Sequence, residues 1–379
     1  MNRVWDAAVI GAGIGGSAAA MALARQGWDV LLLDARRFPR HKVCGEFLSP
    51  ESRSMLQALG FGEAAASLGP VELDRARLFW GEGGPLTLPL PGKALGISRY
   101  ALDPALHAEL RRAGGTVLTG APVTSMQAEG DGYRIEVKGA AGRLVLRART
   151  VIGAWGGGGS KLSGGRAPVS DFIGVKSHLT NVAADSAVEL YVVPGGYIGI
   201  APVENGAANV AALLDKTAFA AAGLSAGELL LAAAAGHPQL REKLAAGAAV
   251  PGTEAAVIPR LGRRPKAWDG CALVGDACVT IPPLCGDGMS MALRSALLCS
   301  GFADGFLRGS LSAGQWRVQY ERRLLRDFAG PLRWGHLLQG LFARPALAGP
   351  LMAVARLAPL LPALLLRATR LKETERQDM

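Results

Sequence analysis

Three features of the 379-residue sequence predict an α/β fold. A strand, a glycine-rich turn, a helix and a second strand open the chain, strands dominate its middle, and a second glycine-rich turn near residue 275 leads into helix. The opening unit is Val9-Ile10-Gly11-Ala12-Gly13-Ile14-Gly15-Gly16-Ser17, the G-x-G-x-x-G pattern of a dinucleotide-binding βαβ turn. Gly11 permits the tight turn, Gly13 lets the backbone approach a pyrophosphate, and Gly16 lets the following helix sit close to the sheet. The helix, predicted from Ser17 to Gln26, points its free N–H groups and positive dipole end at the phosphates. Trp28 to Leu33 then reads as a buried strand ending at Asp34, an acid placed to accept hydrogen bonds from ribose hydroxyls and to repel a 2′-phosphate. The first nucleotide is therefore expected not to be NADP.

The remaining elements interleave. Ala76–Trp80 and Pro85–Leu90 read as a hairpin that interrupts the nucleotide-binding unit. Ser98 opens a helix through Arg112, and strands are predicted at Thr116–Leu118, Tyr133–Val137, Leu144–Ala148 and Val151–Ala154. Glu189–Val193 and Asn209–Leu213 are further strands flanking an Ala- and Leu-rich helical stretch, and from Cys271 the chain returns to the first unit before ending in helices. The expected division is a discontinuous nucleotide domain (1–72, 98–168 and 263–325), a second domain for substrate (73–97 and 169–262) and a helical C-terminal segment (326–379).

Composition excludes several classes. Half of the residues are hydrophobic and 19% are charged, enough to bury a large core and too apolar for a disordered chain. The net charge of +10 is spread in short pairs such as Arg36-Arg37 and Arg263-Arg264 without interleaved aromatics, so anionic cofactors or lipid surfaces are the expected partners and nucleic acid is not. Five cysteines, an odd number, argue against a disulfide framework. Cys271, Cys278 and Cys285 recur every seven residues but form no paired C-x-x-C or Cys/His set, so no metal is expected. The first residues enter a strand directly, without a leader pattern, which implies cytoplasmic residence. Between Trp334 and Leu371, Arg344, Arg356 and Arg367 break an apolar segment into runs too short to cross a bilayer. That segment is expected to lie on a membrane surface, to cap a substrate tunnel, or to form a buried helical layer over the nucleotide domain.

The ordered set of glycine turn, acid, Lys42-Val43-Cys44-Gly45, Arg99 with Leu102-Asp103, Val151 to Gly156, Gly275-Asp276 and Pro283 to Met289 resembles the flavoprotein superfamily that contains para-hydroxybenzoate hydroxylase. Within it, Lys-x-Cys-Gly and the segment from Gly195-Gly196-Tyr197 to Pro202 are most similar to the geranylgeranyl-reductase-like branch. The resemblance implies a Rossmann-like FAD-binding domain of the βαβ type with an inserted, mostly antiparallel substrate domain and a helical C-terminus, the isoalloxazine lying between the domains. It assigns FAD contacts to Gly11, Gly13, Gly16, Asp34, Ala35, Arg36, Cys44, Gly45, Arg99, Val123, Gly275, Asp276, Pro283, Gly286, Asp287, Gly288 and Met289. Backbone N–H groups opening the helix at Gly288 would face the pyrimidine end of the flavin, where negative charge develops on reduction. Cys44 is either a proton donor whose pKa Lys42 lowers, or a small packed residue. Tyr197 is a candidate catalytic residue, and His178, Tyr197 and Pro202 are candidate substrate contacts.

Two departures from the pattern bear on the reaction. Trp155 stands where hydroxylases carry Asp before Gly, and Ile198-Gly199-Ile200-Ala201-Pro202 lacks the Trp-x-Phe-Pro ending of geranylgeranyl reductases. No Trp-x-Trp-x-Ile-Pro stretch of flavin halogenases is present. Two readings stay open with the flavin carrying the chemistry in both. One is monooxygenation of a hydrophobic polyketide, phenolic or isoprenoid-type substrate, which the sequence favours; the other is reduction of a double bond. Halogenation and a non-catalytic flavin-binding protein rank behind them. NADH, NADPH or a reduced carrier is the expected reductant, bound transiently, because no second nucleotide fingerprint exists.

Overall fold

The computed structural model describes residues 3–80, 84–139, 142–158, 162, 169–182, 185–219, 224–259, 261–342, 344, 347–358 and 360–371. It begins with β1 (Val4–Ile10), α1 (Ile14–Arg25) and β2 (Val30–Asp34), the βαβ unit expected from the glycine turn. After β3 (Phe47–Leu48) come α2 (Pro50–Ala58), α3 (Gly62–Ser67), β4 (Val71–Phe79), β5 (Leu86–Gly96), α4 (Arg99–Arg112) and β6 (Thr116–Thr119). The meander β7 (Val123–Glu129), β8 (Gly132–Gly139) and β9 (Gly142–Gly153) follows. Leu144–Ala148 and Val151–Ala154, read separately in the sequence, belong to the single strand β9, which pairs with β1 on one side and β8 on the other. The β8 ladder ends at Ala148, and the parallel ladder with β1, running from Arg147 to Gly153, carries the strand through Arg149 and Thr150, where local pattern suggested a break.

The seven-stranded first sheet has the order β6-β2-β1-β9-β8-β7, and β15 (Ala272–Leu273) pairs in parallel with β9. Ala7 to Val9 and Leu31 to Leu33 are fully buried, as strands covered on both faces must be. In β4, β5 and the strands after residue 168 the chain builds a second sheet. Its strands are β10 (Val169–Thr180), β11 (Ala187–Val193), β12 (Gly196–Pro202), β13 (Ala208–Asp215) and β14 (Ala248–Pro259), and its order is β14-β10-β13-β12-β11-β4-β5-β3. Pairing is antiparallel except between β11 and β4. The edge strand β3 lies among residues of the N-terminal segment yet pairs with β5 of this sheet, so the chain around residues 42–48 passes from one sheet to the other.

Helices α5 (Lys216–Phe219), α6 (Ala226–Ala233) and α7 (Pro238–Ala246) lie between β13 and β14. Ser225 and Glu228 close a capping box at the start of α6. The C-terminal part is α8 (Gly288–Leu307), α9 (Ala313–Phe342), α10 (Ala348–Leu357) and α11 (Leu360–Thr369). Among the described residues no single helix is long and apolar enough to cross a membrane; α10 and α11 form a pair bent by 105°. The last residues of the 326–379 segment, from 372 on, lie outside the described residues.

Candidate functional site

The glycine turn is built for close approach. Gly11 adopts φ +113°, and a Cβ there would stand 2.2 Å from the Ala154 carbonyl oxygen; a Cβ on Gly16 would stand 1.8 Å from the Gly11 oxygen. At Gly13 only the Arg99 Nη2 comes near, 3.2 Å from a notional Cβ, so the rim facing a ligand is open apart from that guanidinium. Asp34 fastens the turn from below, one oxygen accepting from the Ala12 amide (2.7 Å) and the other from the Arg36 amide (2.8 Å). His107 bonds the Ala12 carbonyl at 2.8 Å. Ala35 follows Asp34 in the same bend, and Val123, half-buried, begins β7 two residues after Ala121, whose amide donates to the Asp34 carbonyl at 2.8 Å.

Arg99 is buried and forms a two-pronged pair with Asp103 at 2.7 and 2.8 Å. Burial works against its charge, but the Asp103 carboxylate outweighs burial and raises its pKa. The result is a fixed cation beside Gly13, suited to a pyrophosphate.

The second glycine turn meets the first. A Cβ on Gly15 would lie 3.6 Å from the Gly275 Cα, so residues 260 positions apart in the chain share one corner of the fold. Gly275 adopts φ +61° and its amide donates to Ser295 Oγ at 2.9 Å. Asp276 faces Lys42 at 3.5 Å, so the ammonium expected beside the Cys44 thiol is directed to the acid of this turn. Pro283 to Cys285 form one 3-10 turn, Gly286 packs against Phe47, and α8 opens at Gly288, where nothing crowds the backbone. Met289 sits buried in its first turn. Asp287 caps this helix start in position but gives its carboxylate to Arg370 at the end of α11. Burial pushes the Asp287 carboxyl up to about 7. The other carboxylate oxygen, Oδ2, is buried with no hydrogen-bond partner.

An apolar cavity of about 560 Å³ adjoins the Pro283–Gly286 turn. Cys44, Gly45, Tyr197 and Cys285 line one part, and helices α10 and α11 line another through residues such as Met352 and Leu365. The space next to Gly45 is open. The Cys44 thiol accepts from the Glu46 amide at 3.4 Å, and its carbonyl accepts from Asn209 Nδ2 at 3.1 Å. Burial holds the Tyr197 phenol protonated, well above its ordinary pKa, and its oxygen has no partner. Burial likewise pushes the Cys285 thiol up to about 12.

Sequence reasoning missed the buried charge cluster behind this wall. Glu46, at φ +52°, accepts from Lys176 and from the Arg99 amide (2.6 Å) with one oxygen, and lies 2.5 Å from His178 Nε2 with the other. Burial alone would raise its pKa; His178 and Lys176 outweigh it and hold the carboxyl below the usual range. His178, a candidate substrate contact, is thus engaged with Glu46, its ring 5.0 Å from that of His41. Pro202 is likewise set apart from the cavity lining, its carbonyl packed against Gly96. The available signal was Lys176 and His178 at two-residue spacing, hence on one face of a strand, together with an acid directly after Cys44-Gly45. Among the described residues no cluster of His, Cys, Asp and Glu could hold a metal ion.

The first glycine turn, Asp34 and Arg99 fall within residues 5–215, which match the FAD binding domain family. The chain belongs to that family. This flavoprotein is an FAD-dependent oxidoreductase by its relatives. It is 28% identical over 327 residues to the menaquinone reductase of Mycobacterium tuberculosis, covering 79% of this chain and 76% of that protein. It is 26% identical over 343 residues to digeranylgeranylglycerophospholipid reductase 2 of Methanopyrus kandleri, covering 87% and 84%. Among solved structures, the fold matches a geranylgeranyl bacteriochlorophyll reductase-like protein of Thermoplasma acidophilum with a TM-score of 0.76 (22% identity, 97% and 99% covered). It also matches a myxobacterial chondrochloren halogenase with a TM-score of 0.80 (23% identity, 99% and 88% covered).

Proposed function

We propose that this flavoprotein reduces a carbon–carbon double bond in a long apolar substrate of isoprenoid type. The observation that carries the reading is the cavity itself: an apolar space of about 560 Å³ with the Cys44 thiol and the open ground at Gly45 on its wall. The names of the menaquinone and digeranylgeranylglycerophospholipid reductases support the same substrate chemistry.

The cradle fits FAD. Gly11 and Gly16 hold the turn tight against Ala154 and α1, Gly13 leaves its rim open for a pyrophosphate, Arg99 would offer that group a fixed charge, Asp34 fixes the turn through the Ala12 and Arg36 amides, and Gly275 with the amides opening α8 would hold the flavin half. Bound FAD supplies the two-electron chemistry, replenished by NADH, NADPH or a reduced carrier. The protein's part is binding, orientation and proton supply. Apolar walls exclude water and align the chain of the substrate. Cys44 delivers a proton to one carbon of the double bond, and the Glu46 amide steadies the thiolate left behind. Tyr197, kept protonated, donates to an oxygen of the substrate if it carries one.

The test is anaerobic. Enzyme reduced by light is mixed with a panel of prenylated quinones and lipids in the absence of oxygen. Reoxidation of the flavin with formation of a saturated product is the expected result. Reoxidation only when O₂ is admitted, with an oxygenated product, overturns the reading in favour of monooxygenation.

A further inference from the structure

From Phe328 to Leu371 the sequence contains Arg333, Arg344, Arg356, Arg367 and Arg370 and not one Asp or Glu. The first four arginines are exposed, and Arg370 is buried against Asp287. The same stretch carries the most exposed leucines of the described residues: Leu357 at 87%, Leu360 at 76% and Leu364 at 58%. Leu357 and Leu360 flank the 105° bend between α10 and α11, and Leu364 follows one turn later on the face of Leu360. Scattered exposed leucines need no explanation; three of them gathered at one helix bend, in a segment whose only charged residues are arginines, do.

The inner side of this elbow is a wall of the cavity. Met352, Leu361, Leu365 and Leu366 line it, while Leu357, Leu360 and Leu364 do not. One bent helix pair therefore carries apolar side chains both inward to the cavity and outward to the exterior.

We propose that the α10–α11 elbow seats in an anionic lipid leaflet and places the cavity against the apolar phase from which its substrate comes. The leucine tip enters the acyl boundary, and Arg344 and Arg367 reach the phosphate level with their long stems along the apolar surface, while Arg356, whose guanidinium donates to the Gly84 carbonyl at 2.7 Å, adds its positive charge. Charge selects this occupant: a segment whose exposed charges are all arginines and which contains no acid complements anionic headgroups and disfavours a second copy of itself. The inference goes beyond the proposed reaction, since the seating requires neither turnover nor a prenyl group.

The holoenzyme is sedimented with vesicles of phosphatidylcholine alone and of phosphatidylcholine with phosphatidylglycerol, without reductant or substrate. Binding roughly tenfold tighter to the anionic vesicles is expected, weakened by salt. The Leu357→Glu/Leu360→Glu/Leu364→Glu variant should lose roughly tenfold or more of that binding while keeping its bound flavin, because these side chains line neither core nor cavity. Leu360→Trp, which leaves the surface apolar, should show a blue-shifted emission on adding anionic vesicles. The proposal is overturned if no vesicle binds the protein, if the triple variant binds as well as the parent, if the Leu360→Trp emission stays unmoved, or if the parent is a dimer that the triple variant splits.

Discussion

The Glu46 carboxylate and the Lys176 ammonium, 130 residues apart in sequence, form an ion pair with neither side chain more than 1% exposed. It joins the chain that follows Cys44 to β10, so the cavity wall that carries the thiol is bolted to the second sheet. His178 and the Arg99 amide complete the shell around the carboxylate.

Removing the charge from one partner leaves the other buried without compensation. Glu46→Gln should cost about 3–5 kcal/mol in chemical denaturation. The double variant Glu46→Gln/Lys176→Met should recover a large part of that loss, because the stranded ammonium is gone. Folded Glu46 binds its proton less tightly than the unfolded carboxyl, whose value is 4.5. Its contribution is therefore complete above that value and disappears as pH falls through the lower folded one. Wild-type unfolding should steepen with acid in that range, and the Glu46→Gln variant should lack the component.

The glycine turn separates folding from cofactor binding. Gly16→Ala would place a Cβ 1.8 Å from backbone, which only movement of α1 relieves, and should cost about 3 kcal/mol or more and abolish flavin retention. Gly13→Ala meets only the Arg99 guanidinium at 3.2 Å, so stability should fall by less than about 1 kcal/mol while FAD affinity drops about tenfold. Thermal unfolding of the apoprotein and fluorescence titration with FAD measure the two effects apart.

Cys44→Ser keeps the volume and replaces the thiol by a far weaker acid. If Cys44 supplies the proton, turnover on an alkene substrate should fall about a hundredfold with flavin content unchanged. A variant that turns over at the parent rate would leave Cys44 as packing only.

Asp287 should give the protein a second pH dependence, opposite in sign to that of Glu46. Its carboxyl is at about 7 in the fold against 3.8 unfolded, the raised value arising from burial. Stability from this group is full below the unfolded value and is lost as pH rises towards 7, at up to about 1.4 kcal/mol per pH unit. Asp287→Asn should flatten the stability profile between about pH 4 and 7, as followed by denaturant midpoints.

The legible part of the molecule was the part set by local backbone geometry. Gly11, Gly16 and Gly275 could be assigned from sequence because a close backbone approach excludes a Cβ and a positive φ favours glycine, and each shows one of those constraints in the fold. The βαβ unit around them followed from apolar strands buried on both faces. Partners set by distant chain segments were not legible. Lys42 finds Asp276, Asp287 finds Arg370, and His178 finds Glu46, because each pairing depends on where two sheets and the C-terminal helices meet. No periodicity within one segment encodes that meeting.

By itself the sequence determined the fold class, the dinucleotide cradle and its two glycine turns, since these rest on steric rules that act over a few residues. Only the tertiary structure decided which charges are paired inside and which leucines stay outside, because burial and the neutralising of buried charge are properties of the assembled chain.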